Sequence, residues 1–291
     1  MRCWQKLYKN AGPTSLGGLL ALFLAGQVLA DGRLAWTGGV TEVEGAAGGG
    51  LVPWALIAGL GTADQVGASA FVTAADTPQF SLRAAGVALG IEDRLELSYA
   101  HQSFAIGNVV PGATLAQDIV GVKLKLAGDA VFDQDRWWPQ LAAGVLYKHA
   151  RDFESVPQAL GAEHASGTDV YLAATKVYLA GLAGRTVLVN VTLRHSDANQ
   201  YGLLGFGGAR APAWSPEASL GVWLTDTLIG GVEYRSKRGS LAAPGEGAAD
   251  DAFIAWGPYR NLNFVLAYVD LGPVGFQRAQ RGAYVSVSVS Y

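Results

Sequence analysis

The last nine residues, AYVSVSVSY (283–291), decide how the rest of the chain is read. Ala283, Val285, Val287, Val289 and Tyr291 alternate with Tyr284, Ser286, Ser288 and Ser290. Successive side chains of a strand point to opposite faces, so this spacing predicts one apolar and one polar face, with an aromatic at the very end. A chain terminus is more often a frayed polar tail. The alternation recurs upstream. Leu95, Leu97 and Tyr99 are interleaved with Arg94, Glu96 and Ser98; Val120, Val122, Leu124 and Leu126 with Gly121, Lys123 and Lys125; Val187, Val189, Val191 and Leu193 with Asn190, Thr192 and Arg194; Val232 and Tyr234 with Glu233 and Arg235; Leu262, Phe264, Leu266 and Tyr268 with Asn261 and Asn263. No segment of helical period follows the first thirty residues.

Composition points the same way. Of 291 residues, 50% are hydrophobic and 15% charged, against about 25% charged in a typical soluble domain. Mean hydropathy is +0.22. No stretch past the N-terminus supplies the roughly 20 apolar residues of a spanning helix, so the apolarity is distributed over strands. The connections alternate in length. Short ones fall near 92–93, 183–184, 225–226 and 257–260, and long ones near 105–116, 151–167, 197–214, 238–250 and 271–280, with 128–137 a longer member of the short set. Short turns at one end and long loops at the other are the layout of a bacterial outer-membrane barrel. Trp137, Trp138, Trp256, Tyr259 and Trp214 lie near strand ends, where interfacial aromatics belong.

The expectation is an all-β, antiparallel transmembrane β-barrel of about 14 strands occupying residues 31–291. Twelve strands are counted from Val66 onward, and segments 33–43 and 51–61 are taken as two more. The alternative is 12 strands with the N-terminal segment folded into the lumen. Residues 1–30 read as a cleaved signal peptide for Sec-type export: Arg2, Lys6 and Lys9 precede the apolar run 16–24, and Val28 and Ala30 stand before Asp31. Cleavage removes Cys3, the only cysteine, so disulfides and thiolate metal sites are excluded from the mature chain. It also removes three positive charges from a formal net of −3, and nucleic acid is not an expected partner.

Two glycine-rich segments, TGGVTEVEGAAGGGLVPWALIAGLG (37–61) and ANQYGLLGFGG (198–208), resemble a domain-of-unknown-function family of uncharacterised bacterial proteins predicted to lie in the outer membrane. The resemblance implies a location and a barrel. It carries over no catalytic residue.

With apolar faces turned to lipid, the polar faces put Arg94, Glu96, Lys123, Lys125, Asn190, Arg194, Glu233, Arg235 and Lys237 inward as candidate pore-lining residues. The function expected is passage of small hydrophilic solutes or ions, with charged side chains setting selectivity. The competing readings are a closed barrel acting in structure or surface interaction, and a lipid-modifying barrel enzyme. For the enzyme, Arg194-His195-Ser196-Asp197 is the best constellation, but neighbours on one strand face opposite sides, so His195 and Ser196 do not pair there. His101, His149 and His164 read as rim or loop residues. No enzymatic activity, cofactor or metal is expected, and the partners are outer-membrane lipid, the barrel-assembly machinery and small solutes. Val285, Val287, Val289 and Tyr291 resemble the C-terminal signal read by that machinery. A chain ending at Ser290 is therefore expected to insert poorly into outer membranes, measured as the heat-modifiable folded fraction on gels; an unchanged fraction would contradict the signal.

Overall fold

In the computed structural model, residues 40–291 are described, apart from 244 and 279. The proposed signal peptide lies outside them. Twelve antiparallel strands close into one barrel, each pairing with its sequence neighbours and the last with the first. They are β1 (Val66–Asp76), β2 (Ser81–Ile91), β3 (Leu95–Ala105), β4 (Thr114–Ala127), β5 (Gln140–Ala150), β6 (Ser166–Leu182), β7 (Arg185–Ser196), β8 (Ala213–Thr225), β9 (Leu228–Arg235), β10 (Ala249–Tyr259), β11 (Leu262–Asp270) and β12 (Arg281–Ser290).

Closure runs from Ser69↔Ser290 to Asp76↔Ala283. Tyr291 continues it. Its N–H donates to the Ala68 carbonyl at 2.8 Å, and its own carbonyl accepts from Ala68 N at 2.8 Å and Leu60 N at 2.9 Å. The opening stretch behaves as its alternation predicts: Val285 is exposed on the outer face, while Ser286, Ser288 and Ser290 are buried within.

The molecule is inverted relative to a soluble protein. Outward positions are apolar, among them Leu97, Val120, Val122, Val145, Leu172, Val191, Leu220, Ile254 and Leu266, whereas Glu96, Gln102, Lys123, Lys148, Asn190, Thr192, Glu217 and Glu233 are buried within. Exposed Trp137, Trp138, Trp256 and Tyr259 lie at the short-turn end. Outward ion pairs stand at the other end: Arg83–Asp76 at 3.0 Å, His101–Asp118 at 2.8 Å, and Arg281–Asp270. The long loops 151–165 and 197–212 knit together there, with His164 N donating to the Phe206 carbonyl at 3.0 Å and Phe206 N returning to His164 at 2.9 Å. Two connections break the length rule. The β1–β2 link, 77–80, is short at the long-loop end, and the β4–β5 link, 128–139, is long at the other.

The expected fourteen strands are corrected to twelve. Within the described residues, neither 40–43 nor 51–61 joins the sheet. Every residue from Thr41 to Gly61 is instead buried inside the barrel, and the only pairings there are the isolated bridges Thr41↔Ala47 and Gly48↔Pro53. The physical reasons are local and global. Val52, Trp54, Leu56, Ala58 and Leu60 do alternate, but Pro53, Ala55 and Ile57 between them offer no polar face, and Pro53 lacks the N–H that a ladder needs. The β1–β12 seam is already closed, so no edge is left to join. An eight-stranded barrel is filled by side chains and a sixteen-stranded one holds a channel; twelve strands leave room for one extra segment of chain.

Candidate functional site in the barrel lumen

The luminal segment 40–61 has no strand partners, so its main-chain groups need others. Wall side chains supply them. Glu96 accepts from Ala47 N at 3.1 Å and Ala58 N at 2.8 Å; Glu233 accepts from Leu51 N at 2.7 Å; the Thr175 hydroxyl accepts from Ala55 N at 2.7 Å. In the other sense, Gln102 donates to the Val43 carbonyl at 2.7 Å, Lys123 to Ala47 and Leu56 at 2.9 Å each, Arg235 to Leu51 at 3.0 Å, Thr192 to Pro53 at 2.8 Å and Gln140 to Ala55 at 2.7 Å. A buried main-chain group left unpaired costs about 1–3 kcal/mol. These wall contacts are what let an irregular segment occupy the lumen. Trp54 anchors it further, its indole N–H donating to Ser219 at 2.9 Å and its ring packing among Leu56, Val177, Leu188 and Ile229. Gly49 lies so close to the wall that a Cβ there would fall 1.9 Å from Glu233 Oε1.

Towards the long loops the contacts become ionic. The Glu44 carboxylate receives Lys148 Nζ, Arg194 Nη1 at 3.0 Å and Arg235 Nη2 at 2.8 Å. Three cations from β5, β7 and β9 thus converge on one carboxylate that belongs to no strand. Asp169 on β6 braces Lys148 at 2.8 Å and Arg194 at 3.0 Å. Glu217 on β8 takes two donors of Arg194, Nε at 2.6 Å and Nη2 at 3.3 Å, and lies 3.4 Å from Arg235 Nε. Glu42 stands 3.7 Å from Arg235. Tyr171 and Tyr201 place their rings under Arg194 and Arg235, at 5.5 and 4.1 Å. Tyr171 fits because its cross-strand partner is Gly144, where a Cβ would be 2.2 Å from the phenol ring.

The second glycine-rich segment closes the cluster from above. Gln200 and Tyr201 hold positive φ, 46° and 63°, a conformation disfavoured for non-glycine residues. It brings the Tyr201 carbonyl within 3.1 Å of Lys148 Nζ. Asn199, fully buried, holds this loop to the next: its Oδ1 accepts from Ser240 N at 2.7 Å and its Nδ2 donates to Gly207 at 3.0 Å. Lys237 donates to Gln200 Oε1 at 3.1 Å and to the carbonyls of Leu271 at 2.6 Å and Pro273 at 3.1 Å. Burial pushes Lys237 down to about 8 and Glu246 up, so this upper pair is less firmly charged than the arginines beneath. Residues 40–61 and 198–208, distant in sequence, therefore meet at Lys148 and Arg235.

Of the nine candidate pore-lining residues, seven are buried on the luminal side: Glu96, Lys123, Asn190, Arg194, Glu233, Arg235 and Lys237. They grip residues 40–61 or the loop above them. Lys125 sits at the short-turn rim, 2.7 Å from Asp93. Arg94 departs from the expectation. Glu92 and Asp93 take positive φ and form the β2–β3 turn, β3 starts at Leu95, and Arg94 is exposed outside the lumen. Lys148, Asp169, Glu217, Glu42 and Glu44 were not among the nine. Asp169 was findable, since Val170 and Leu172 mark the outward parity of β6. Glu42 and Glu44 were hidden because TEVE reads as one more alternating strand.

The catalytic alternative gains no geometry. His195 packs against Trp214, centroids 5.0 Å apart and ring planes tilted by 55°, while Ser196 Oγ donates to Asp169. His149 Nδ1 lies 2.8 Å from Ser166 Oγ and is exposed. Among the described residues no His, Cys, Asp and Glu side chains are grouped to hold a metal.

A protein family described as Protein of unknown function (DUF3034) matches residues 37–288. No curated protein matches in sequence. Among solved structures, the chain is similar to the NanC porin, at 8% identity and a TM-score of 0.48, over 77% of this chain and 98% of that one. It is similar to the outer membrane protein Omp33 of Acinetobacter baumannii, at 8% and 0.43, over 78% and 97%. A further likeness is to the translocator domain of the autotransporter NalP from Neisseria meningitidis, at 14% and 0.37, over 78% and 87%.

Glu44→Gln should destabilise the barrel by about 3–5 kcal/mol, the cost of removing one partner from a buried ionic cluster, read as a lower denaturant midpoint in detergent or lipid. An unchanged midpoint would mean that Glu44 does not hold the three cations.

Proposed function

Because the chain belongs to the family described as Protein of unknown function (DUF3034), whose description assigns no activity, we propose its function from its geometry: a bacterial outer-membrane barrel, closed at rest by residues 40–61, that passes small hydrophilic solutes or ions when that segment is displaced. Two features support the location. The outer surface is apolar around the whole barrel, which suits lipid and not water. The belt is bounded by exposed aromatics at one end and by ion pairs at the other, as bilayer interfaces require. Sec-type export of the chain, and assembly through the β12 signal ending at Tyr291, belong to the same proposal.

The observation that carries the passage reading is how the luminal segment is held. A permanent plug would also need its main-chain groups paired, but polar contacts of this kind can be taken over by water when the segment leaves, as apolar packing cannot. Here the segment is bonded by polar side chains to a wall that is itself hydrophilic, and the wall would remain a polar surface without it. Polar linings with charged rings are what conduction needs.

Planar-bilayer recording tests this. The full chain should insert and remain silent or open rarely. Gly49→Ala, whose Cβ collides with Glu233, and a chain lacking residues 40–61 should open frequently or stay open. Insertion without conductance in both altered chains would favour the closed, structural barrel.

A further inference from the structure

We infer that the luminal cluster of Lys148, Arg194 and Arg235 is a binding site for small carboxylate-bearing anions, which Glu44 occupies in the closed barrel as an internal stand-in; the inference rests on the occluded-channel reading. Three observations carry it. First, the three cations come from separate strands, yet their shared target is a carboxylate on a segment outside the sheet. The wall carboxylates Asp169 and Glu217 fix the direction of the cations, so the site stays organised when Glu44 leaves. Charge-assisted contacts from rigidly braced guanidinium groups are the chemistry that selects carboxylates.

Second, the charge balance depends on the segment. Among the described residues, the buried charged side chains are six cations and seven carboxylates, and two of the seven, Glu42 and Glu44, are on the luminal segment. Removing it leaves Lys148, Arg194 and Arg235 facing two wall carboxylates, Asp169 and Glu217, so one positive charge is unmet where Glu44 was. The other deep pair does not behave this way. Lys123 keeps its carboxylate partner on the wall, Glu96 at 3.1 Å, and takes from the segment only the neutral carbonyls of Ala47 and Leu56, so no carboxylate leaves it with the segment.

Third, the packing leaves a gap beside the site on its loop side. A cavity of about 30 Å³, room for about one water, lies beside the cluster and is lined by Asp169, Arg194, Tyr201, Arg235, Lys237 and Glu246. An anion arriving there meets the same guanidinium groups that hold Glu44 and competes with it. Binding of solute and release of the segment are then linked through one site.

Reversal potentials test the inference, measured in a KCl gradient and then a potassium succinate gradient on Gly49→Ala and on the chain lacking residues 40–61. Both should prefer chloride over potassium severalfold, and succinate should carry current or block at the cluster. Adding Arg235→Gln or Arg194→Gln should bring the ratio to one or below and abolish the succinate effect. A conducting barrel that prefers potassium, or that ignores both arginine changes, would overturn the anion site and leave the channel standing. Folded barrels that never conduct would remove the channel reading and this one with it. Should the shortened chain fail to fold, Gly49→Ala and Glu44→Gln in the full chain carry the same test.

Discussion

Hydrogen-bonding the main chain of an irregular segment inside a closed barrel is the constraint on which the rest depends. Backbone that is neither helix nor sheet is tolerated at membrane depth only where protein or trapped water satisfies it. Here Glu96, Lys123, Gln140, Thr175, Thr192, Glu233 and Arg235 each take a main-chain group of residues 47–58. The polarity of the inner wall is thus explained by its occupant. Without those side chains the segment would cost several kilocalories per mole in unpaired groups; without the segment they would need water.

The twelve-strand count, the glycines and the ionic cluster follow from this fit. Gly49 and Gly50 let the main chain approach the wall side chains Glu233 and Tyr284 closely. Apolar residues on both sides of 51–61 meet the few apolar patches of the wall, around Val177, Leu188 and Ile229. At the loop end, where apolar packing gives way to Arg194, Arg235 and Lys148, the segment presents carboxylates. The seam at Tyr291 ties these parts together, because its carbonyl holds both Ala68 of β1 and Leu60 at the end of the luminal segment.

Much of this was legible in the sequence. Period-two alternation located the strands and their inward faces, since a barrel wall sorts apolar from polar residues one position at a time. Loop lengths gave the two ends. The parity of the valines in 283–291 was enough to place Ser286, Ser288 and Ser290 inside. The luminal segment was ambiguous for a physical reason: a chain threaded through a mixed polar and apolar lumen can alternate like a strand, and its exclusion from the sheet rests on closure of β1 on β12 together with Pro53 and the missing polar face of 51–61. The partners of Glu44 were out of reach because they lie on three strands whose convergence depends on barrel shear, which side-chain alternation does not encode. Arg94 was misplaced because the turn that begins at Glu92 runs one residue further than the alternation implied, taking in Arg94.

Hydrogen exchange of the full chain in lipid tests the central claim most directly. The account predicts that the amides of Ala47, Leu51, Ala55 and Ala58, each bonded to a wall side chain, exchange as slowly as those of the barrel strands. Exchange of residues 40–61 at the rate of a solvated loop, with the strands still protected, would contradict it.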